Sequence, residues 1–259
     1  MKQRIFTAII ALLIFLPLLL YGQWPFTVLV YGMATIGLIE LLRMRTGNKL
    51  LPIILSLICL WLLLSPIVNL DEIALFTKLD LLIGYIMLLL LYTVLTKNSF
   101  TFDDASFVLL ATFYIGLGFY FLIEARSLGL NYILYILLVI WATDTFAYFS
   151  GIAFGKNKLW PEISPKKTIE GAIGGVLCAG IIGVIFHLLF PFDHSLITMI
   201  MITIMISIVG QLGDLVASAL KRHYDVKDSG KILPGHGGII DRFDSLLFVL
   251  PFLALIQFI

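Results

Sequence analysis

Residues 195–219 read SLITMIMITIMISIVGQLGDLVASA, twenty-five positions with one charged side chain, Asp214. A bilayer's hydrocarbon layer of ~30 Å is crossed by about 20 apolar residues in a helix, so this run is a transmembrane segment. The rest of the chain repeats the pattern. Of 259 residues, 61% are hydrophobic and 13% charged, where a soluble domain carries roughly 25% charge. A water-soluble globule could not hide that much apolar surface, so soluble, disordered and fibrous classes are excluded. The predicted fold is an all-α polytopic integral membrane protein of about nine transmembrane helices.

The predicted spans are 5–22, 25–42, 50–69, 79–96, 105–124, 131–151, 171–191, 195–219 and 243–259. The first is a retained helix and not a secretory signal, because no small-x-small cleavage site follows it and Trp24-Pro25 leads directly into the next span. With the N-terminus in the cytoplasm and strict alternation, fifteen of the seventeen Lys and Arg fall on the cytoplasmic side. Only Lys78 and Arg126 fall outside. Cytoplasmic loops are enriched in Lys and Arg, so this alternation fits nine spans with an outward C-terminus. The expected location is the cytoplasmic (inner) cell membrane. A formal charge of +1 gives no basic surface for nucleic acid. Cys59 and Cys178 both lie inside apolar runs and read as core residues.

Up to residue 140 the spans are joined by short loops, which sets 1–140 apart as a lipid-facing scaffold. The region 141–259 carries two longer polar loops on the cytoplasmic side, 152–170 and 220–242, where function is expected. Carboxylates within the hydrocarbon are costly and point to function. Asp144 shares a helical face with Tyr148 and Gly151, and Asp214 shares one with Ser218 and Lys221. Asp241 and Asp244 lie one turn apart at the start of the last helix. Glu40 and Asp80, nearer span ends, read as interfacial anchors.

Oxygen ligands without histidine or thiolate suit a hard cation, and Mg2+ takes one or two carboxylates with water and phosphate completing its shell. Asp214, Asp241 and Asp244 are therefore the metal candidates. Matching positive charge lies in the loops. Ser164-Pro165-Lys166-Lys167-Thr168 is an extended segment leading into a helix, where free N–H groups and adjacent lysines suit phosphate. The second loop holds Lys221, Arg222, Lys227, Asp228 and Lys231, followed by Leu-Pro-Gly-His-Gly-Gly at 233–238. Gly235, Gly237 and Gly238 around His236 permit positive φ or close backbone approach to a ligand. His187 and His194 belong to the outer interface. Neither a Walker A motif nor a dinucleotide G-x-G-x-x-G after a strand is present.

The stretch Ser218-x-Leu-Lys-Arg-x4-Lys-Asp-x-Gly-x2-Leu-Pro-x-His-Gly-Gly-Ile-x-Asp-Arg-Phe-Asp, ending at Asp244, resembles the signature of phosphatidate cytidylyltransferases, also called CDP-diacylglycerol synthases. Residues 144–155 and Ser164 to Gly171 resemble the same family, while the first 140 residues match in character alone. The resemblance implies that CTP and phosphatidate react to give CDP-diacylglycerol and pyrophosphate with Mg2+. Asp214 and Asp241 would hold the metal, with Asp144 and Asp244 beside them or on a second cation. Lys166, Lys167, Lys221, Arg222, Lys227 and Arg242 would grip the phosphates, and Asp228 and His236 join the catalytic candidates. Ser164, Thr168, Ser218 and the three loop glycines would line the substrates. The expected partners are CTP, phosphatidate and the lipid bilayer, with a homodimer left open. Two other readings compete: a CTP-dependent lipid kinase of the dolichol-kinase type, and a cation or phosphate transporter.

Overall fold

The computed structural model of the chain describes residues 2–47, 49–65 and 77–259. Its described residues contain nine α-helices: α1 Lys2–Tyr21, α2 Gln23–Thr46, α3 Leu50–Leu64, α4 Lys78–Leu95, α5 Phe102–Leu128, α6 Leu130–Phe154, α7 Ile169–Leu189, α8 Leu196–His223 and α9 Ile240–Leu255. Each coincides with one predicted span to within a few residues. The last four positions of the predicted span 50–69 lie outside the described residues. Six helices, α2 and α4 to α8, are long and apolar enough to cross a membrane. The chain is an all-α polytopic membrane protein, the architecture expected where a backbone in lipid must satisfy its hydrogen bonds internally.

Local chemistry sets the helix starts. Thr77 and Asp80 form a reciprocal capping box at α4, so Asp80 closes a helix terminus, beyond the interfacial role read from its position. The Thr168 hydroxyl accepts the Gly171 N–H at the start of α7, and Ser195 caps α8 through the Thr198 N–H. Each cap satisfies an N–H that the first helical turn leaves without a partner.

One departure from an all-helical chain is a small antiparallel hairpin, β1 Lys158–Trp160 and β2 Ser164–Thr168. Lys158 lies opposite Thr168 and Trp160 opposite Ser164, with an irregularity between them. A three-residue strand gives no period-2 pattern to detect, although Pro165 does impose the extended backbone expected of 164–168.

The chain divides into two compact units, Met1–Ile123 with Asp228–Asp241, and Glu124–Lys227 with Arg242–Ile259. Within the first, the Tyr85 hydroxyl of α4 lies 2.7 Å from Ser56 Oγ of α3 and 2.9 Å from Thr112 Oγ1 of α5, all buried. Such interhelical hydrogen bonds replace the hydrophobic drive that lipid removes. At one end, Arg45 Nε meets Asp104 Oδ1 at 2.7 Å, and Lys49 Nζ donates to Ser99 O at 2.9 Å.

The second unit is built on close backbone approach. A Cβ on Gly171 would stand 2.7 Å from Ala147 O, and one on Gly175 would stand 2.8 Å from Thr143 O. Glycine at both places lets α7 lie against the backbone of α6. Gly213 does the same for α8 and α9, where a Cβ would come 3.0 Å from Asp244 O. Thr143 bonds Ser207 at 2.9 Å and Tyr135 bonds Thr203 at 2.6 Å, locking α6 to α8. At the far end Tyr132, Tyr135, Phe186, Phe192 and Phe258 form an aromatic cluster.

Candidate active site

Tight α6–α7 packing leaves a cleft where the helices meet the hairpin. It has a volume of about 520 Å³ and lies wholly in the second unit. α6 contributes Asp144, Tyr148 and Gly151, the predicted helical face. β2 contributes Lys166 and Lys167, and α8 contributes Gln211 and Asp214. Lys167 Nζ and Asp214 Oδ2 form an ion pair at 2.5 Å, both side chains only about a quarter to a third exposed (27% and 30%). Asp214 also accepts from Ser218 Oγ at 3.3 Å, one turn along the same helix.

Asp144 stands in the field of Asp214 and Lys167. Asp244 feels Asp214, Lys221 and Asp144, and accepts the Ser245 N–H at 2.8 Å. Three carboxylates thus share one neighbourhood with two lysines. Ionised carboxylates in such a place repel one another, and a half-buried lysine offsets only part of that repulsion.

Glu170, in the first turn of α7, holds the hairpin in place. It accepts the Lys156 N–H at 3.1 Å, the Asn157 N–H at 3.1 Å and Asn157 Nδ2 at 2.8 Å. These bonds fasten the start of the hairpin to the helix that follows it, fixing the strand that carries Lys166 and Lys167.

A second arrangement occupies the first unit. The loop 228–239 folds back on itself through the Leu233 N–H, which donates to Gly237 O at 3.0 Å, and the His236 N–H, which donates to Leu233 O at 2.8 Å. Gly235 and Gly237 have φ of 80° and 84°, which glycine alone adopts without strain. Asp241 Oδ2 accepts from the Ser229 N–H at 2.7 Å, Ser229 Oγ at 3.0 Å and the Gly238 N–H at 2.9 Å. The loop is also held by Glu40 of α2, whose place near a span end suggests only an interfacial anchor. Its Oε2 accepts from the Ile239 N–H at 2.9 Å and Ser229 Oγ at 3.2 Å.

The cleft therefore unites Asp144, Lys166, Lys167, Thr168 and Asp214 among the predicted residues. Thr168 also spends its hydroxyl on the α7 cap, and Ser164 stands at the far end of β2 opposite Trp160. Lys221 and Arg222 sit in the last turn of α8, where the Arg222 guanidinium donates to Val226 O at 3.3 Å. Lys227, Asp228 and Arg242 are exposed. Sequence reasoning missed Gln211, whose amide reaches Ala172 O at 3.3 Å, and the roles of Glu40 and Glu170. Among the described residues, no group of three acidic, histidine or cysteine side chains could by itself hold a metal ion.

The class these features define is a helical membrane protein with a cleft lined by lysines and carboxylates. Over residues 2–259 the sequence matches the cytidylyltransferase family, and the chain belongs to that family. It is 52% identical over 258 residues to the phosphatidate cytidylyltransferase of Bacillus subtilis (strain 168), covering 98% of this chain and 96% of that protein. Those of Staphylococcus haemolyticus (strain JCSC1435) and Staphylococcus saprophyticus subsp. saprophyticus are each 49% identical, covering 99% of this chain and 98% of their own.

Proposed function

We propose that this chain is a phosphatidate cytidylyltransferase, converting CTP and phosphatidate to CDP-diacylglycerol and pyrophosphate in phospholipid biosynthesis. The observation that carries the reading is the cleft itself, lined by Lys166, Lys167, Asp144 and Asp214, with Lys167 paired to Asp214. Full-length similarity to enzymes of that name supports it.

In the reaction, a phosphate oxygen of phosphatidate attacks the α-phosphorus of CTP. A new P–O bond forms as the bond from the α-phosphorus to the bridging oxygen breaks, and pyrophosphate leaves with that electron pair. A phosphate monoester is already largely ionised near neutral pH, so no side chain need remove a proton from the nucleophile. The protein's work is to bring two anions together in line and to offset charge on the leaving group. Lys166 and Lys167 do this from the hairpin, and Lys221, Arg222, Lys227 and Arg242 are the further cations assigned to the phosphates. Tyr148 and Ile152, 64% and 67% exposed, give the same cleft an apolar rim, suited to a substrate with its head charged and its tails in lipid.

A carboxylate donor set suits Mg2+, which takes one or two carboxylates with water and phosphate oxygens completing its shell; among the described residues no group of three acidic, histidine or cysteine side chains gathers to hold an ion unaided. Asp241 is the candidate carboxylate of the first unit; in the second unit Asp214 is the proposed ligand, with Asp144 and Asp244 as supporting carboxylates or ligands of a second cation. Bound there, the ion would neutralise phosphate charge.

The proposed topology has nine spans, a cytoplasmic N-terminus and a site facing the cytosol. Arg45–Asp104 supports it by joining the α2–α3 and α4–α5 ends assigned to one face. Likewise Phe258 shares the aromatic cluster with Tyr132, at the α6 end assigned to the outer face. The lipid-kinase and transporter readings are not favoured by the relatives. Supplying the purified protein with CTP labelled at the α- or the γ-phosphorus, together with phosphatidate or with a polyprenol, separates all three. Label from the α position enters lipid for the cytidylyltransferase, from the γ position for a kinase, and neither for a transporter.

A further inference from the structure

We infer that Glu40, on α2, is a positioning residue for the glycine–histidine loop 228–239 and, through Ser229, for Asp241. The inference deepens the cytidylyltransferase reading and rests on it for the consequence to turnover, but not for the consequence to loop order. Nothing in the signature stretch points to Glu40, which lies almost two hundred positions away.

Three donors, two from the loop and one from the first residue of α9, converge on one oxygen, Glu40 Oε2: the Ile239 N–H at 2.9 Å, Ser229 Oγ at 3.2 Å and the Ile240 N–H at 3.5 Å. The other oxygen, Oε1, is buried and meets no hydrogen-bond donor among the described residues. The carboxylate thus works as a single acceptor, clasping both ends of the loop at once. Its partner Ser229 is itself buried and lies between two carboxylates, its Oγ 3.2 Å from Glu40 and 3.0 Å from Asp241. A hydroxyl has one proton to donate, so the two acceptors compete for it while the Ser229 N–H stays with Asp241.

The surrounding sequence is cut to fit this clasp. A Cβ on Gly230 or on Gly238 would collide with the Glu40 carboxylate. One turn back on α2, Gly37 is buried, and a Cβ there would already touch Ile240 at 3.6 Å and Ile239 at 3.8 Å. Small residues on both sides therefore let the loop settle onto α2 closely enough for Glu40 to reach its backbone.

Because the bonds all go to one acceptor oxygen, glutamine can reproduce them and alanine cannot. In full-length protein, Glu40→Ala is expected to speed amide exchange at Ser229, Gly238 and Ile239 and to lower kcat, each about tenfold or more, as loss of several hydrogen bonds implies. KM for CTP should change less than kcat. Glu40→Gln should restore exchange and kcat to within about threefold of wild type, a residual well below the ~1.4 kcal/mol of a tenfold change. Gly230→Ala, which drives the loop off Glu40 from the other side, should reproduce the alanine pattern and serves where Glu40→Ala does not fold. Wild-type exchange in Glu40→Ala or Gly230→Ala would overturn the inference, as would Glu40→Gln behaving like Glu40→Ala. Were the wild-type protein inactive toward CTP and phosphatidate, the functional reading would fail, while the exchange measurement would still decide the role of Glu40.

Discussion

Lys167 Nζ lies 2.5 Å from Asp214 Oδ2, so the hairpin's second lysine is bonded to the carboxylate proposed to hold a cation. Each is the other's counter-ion when the cleft is without substrate. In the proposed reaction a triphosphate would offer Lys167 another partner and a divalent cation would offer one to Asp214, so that substrate and metal would exchange partners with the pair without leaving a bare charge. Buried charges left single are what such a site must avoid.

Neutralising the lysine should thus weaken phosphate binding. Lys167→Gln is expected to lower kcat/KM for CTP by about tenfold or more, the worth of one hydrogen bond to a charged group. Lys167→Arg should lose less. Steady-state kinetics over a CTP series checks both, and an unchanged kcat/KM in the glutamine variant would remove Lys167 from the phosphate site.

The hairpin itself depends on Glu170. Glu170→Ala takes away the acceptor for the Lys156 and Asn157 N–H groups and the Asn157 amide. The segment 156–168 should then be cut faster by protease, and KM for CTP should rise as Lys166 and Lys167 lose their fixed position. Equal cleavage rates in variant and wild type would show that other contacts suffice to hold the hairpin.

At Gly175 the backbone of α6 leaves no space for a side chain. Gly175→Val must push α7 away from Thr143 and Ala147, and overpacking of this kind costs about 1–3 kcal/mol. A lowered melting temperature in detergent is the expected result. Cys178→Ala, on the same helix, supplies the control, with turnover near wild type.

Phe258 lies in the aromatic cluster with Tyr132 and Phe192, at the end of the second unit assigned to the outer face. A small tag after residue 259 should therefore react with membrane-impermeant reagents in intact cells. Protection of the tag would break the nine-span topology.

How much of this was legible beforehand follows from the range of each signal. The helices were, since apolar runs declare themselves in lipid and each predicted span coincides with one helix. The face Asp144, Tyr148 and Gly151 was also legible, because helical periodicity is local. So was the extended, lysine-bearing segment at 164–168, through its proline. The hairpin was not, for its first strand has three residues and no alternation to read. Glu40 was not either: near a span end it looks like any interfacial carboxylate, and its partners Ser229 and Ile239 lie almost two hundred residues on. Glu170 was visible as a residue before a helix, but its bonds run backward to Lys156 and Asn157 main-chain groups, which carry no sequence signature. Periodicity and local chemistry reach one turn or one loop; long-range clasps need the fold.

If this cleft carries out cytidylyl transfer through its carboxylates, turnover depends on Asp214. Purified wild-type protein, given phosphatidate, Mg2+ and CTP labelled at the α-phosphorus, should form labelled CDP-diacylglycerol. Asp214→Asn, isosteric but uncharged, should lower that turnover at saturating Mg2+ by at least about tenfold, a barrier increase of about 1.4 kcal/mol. Near-normal labelling by the asparagine variant would contradict that dependence.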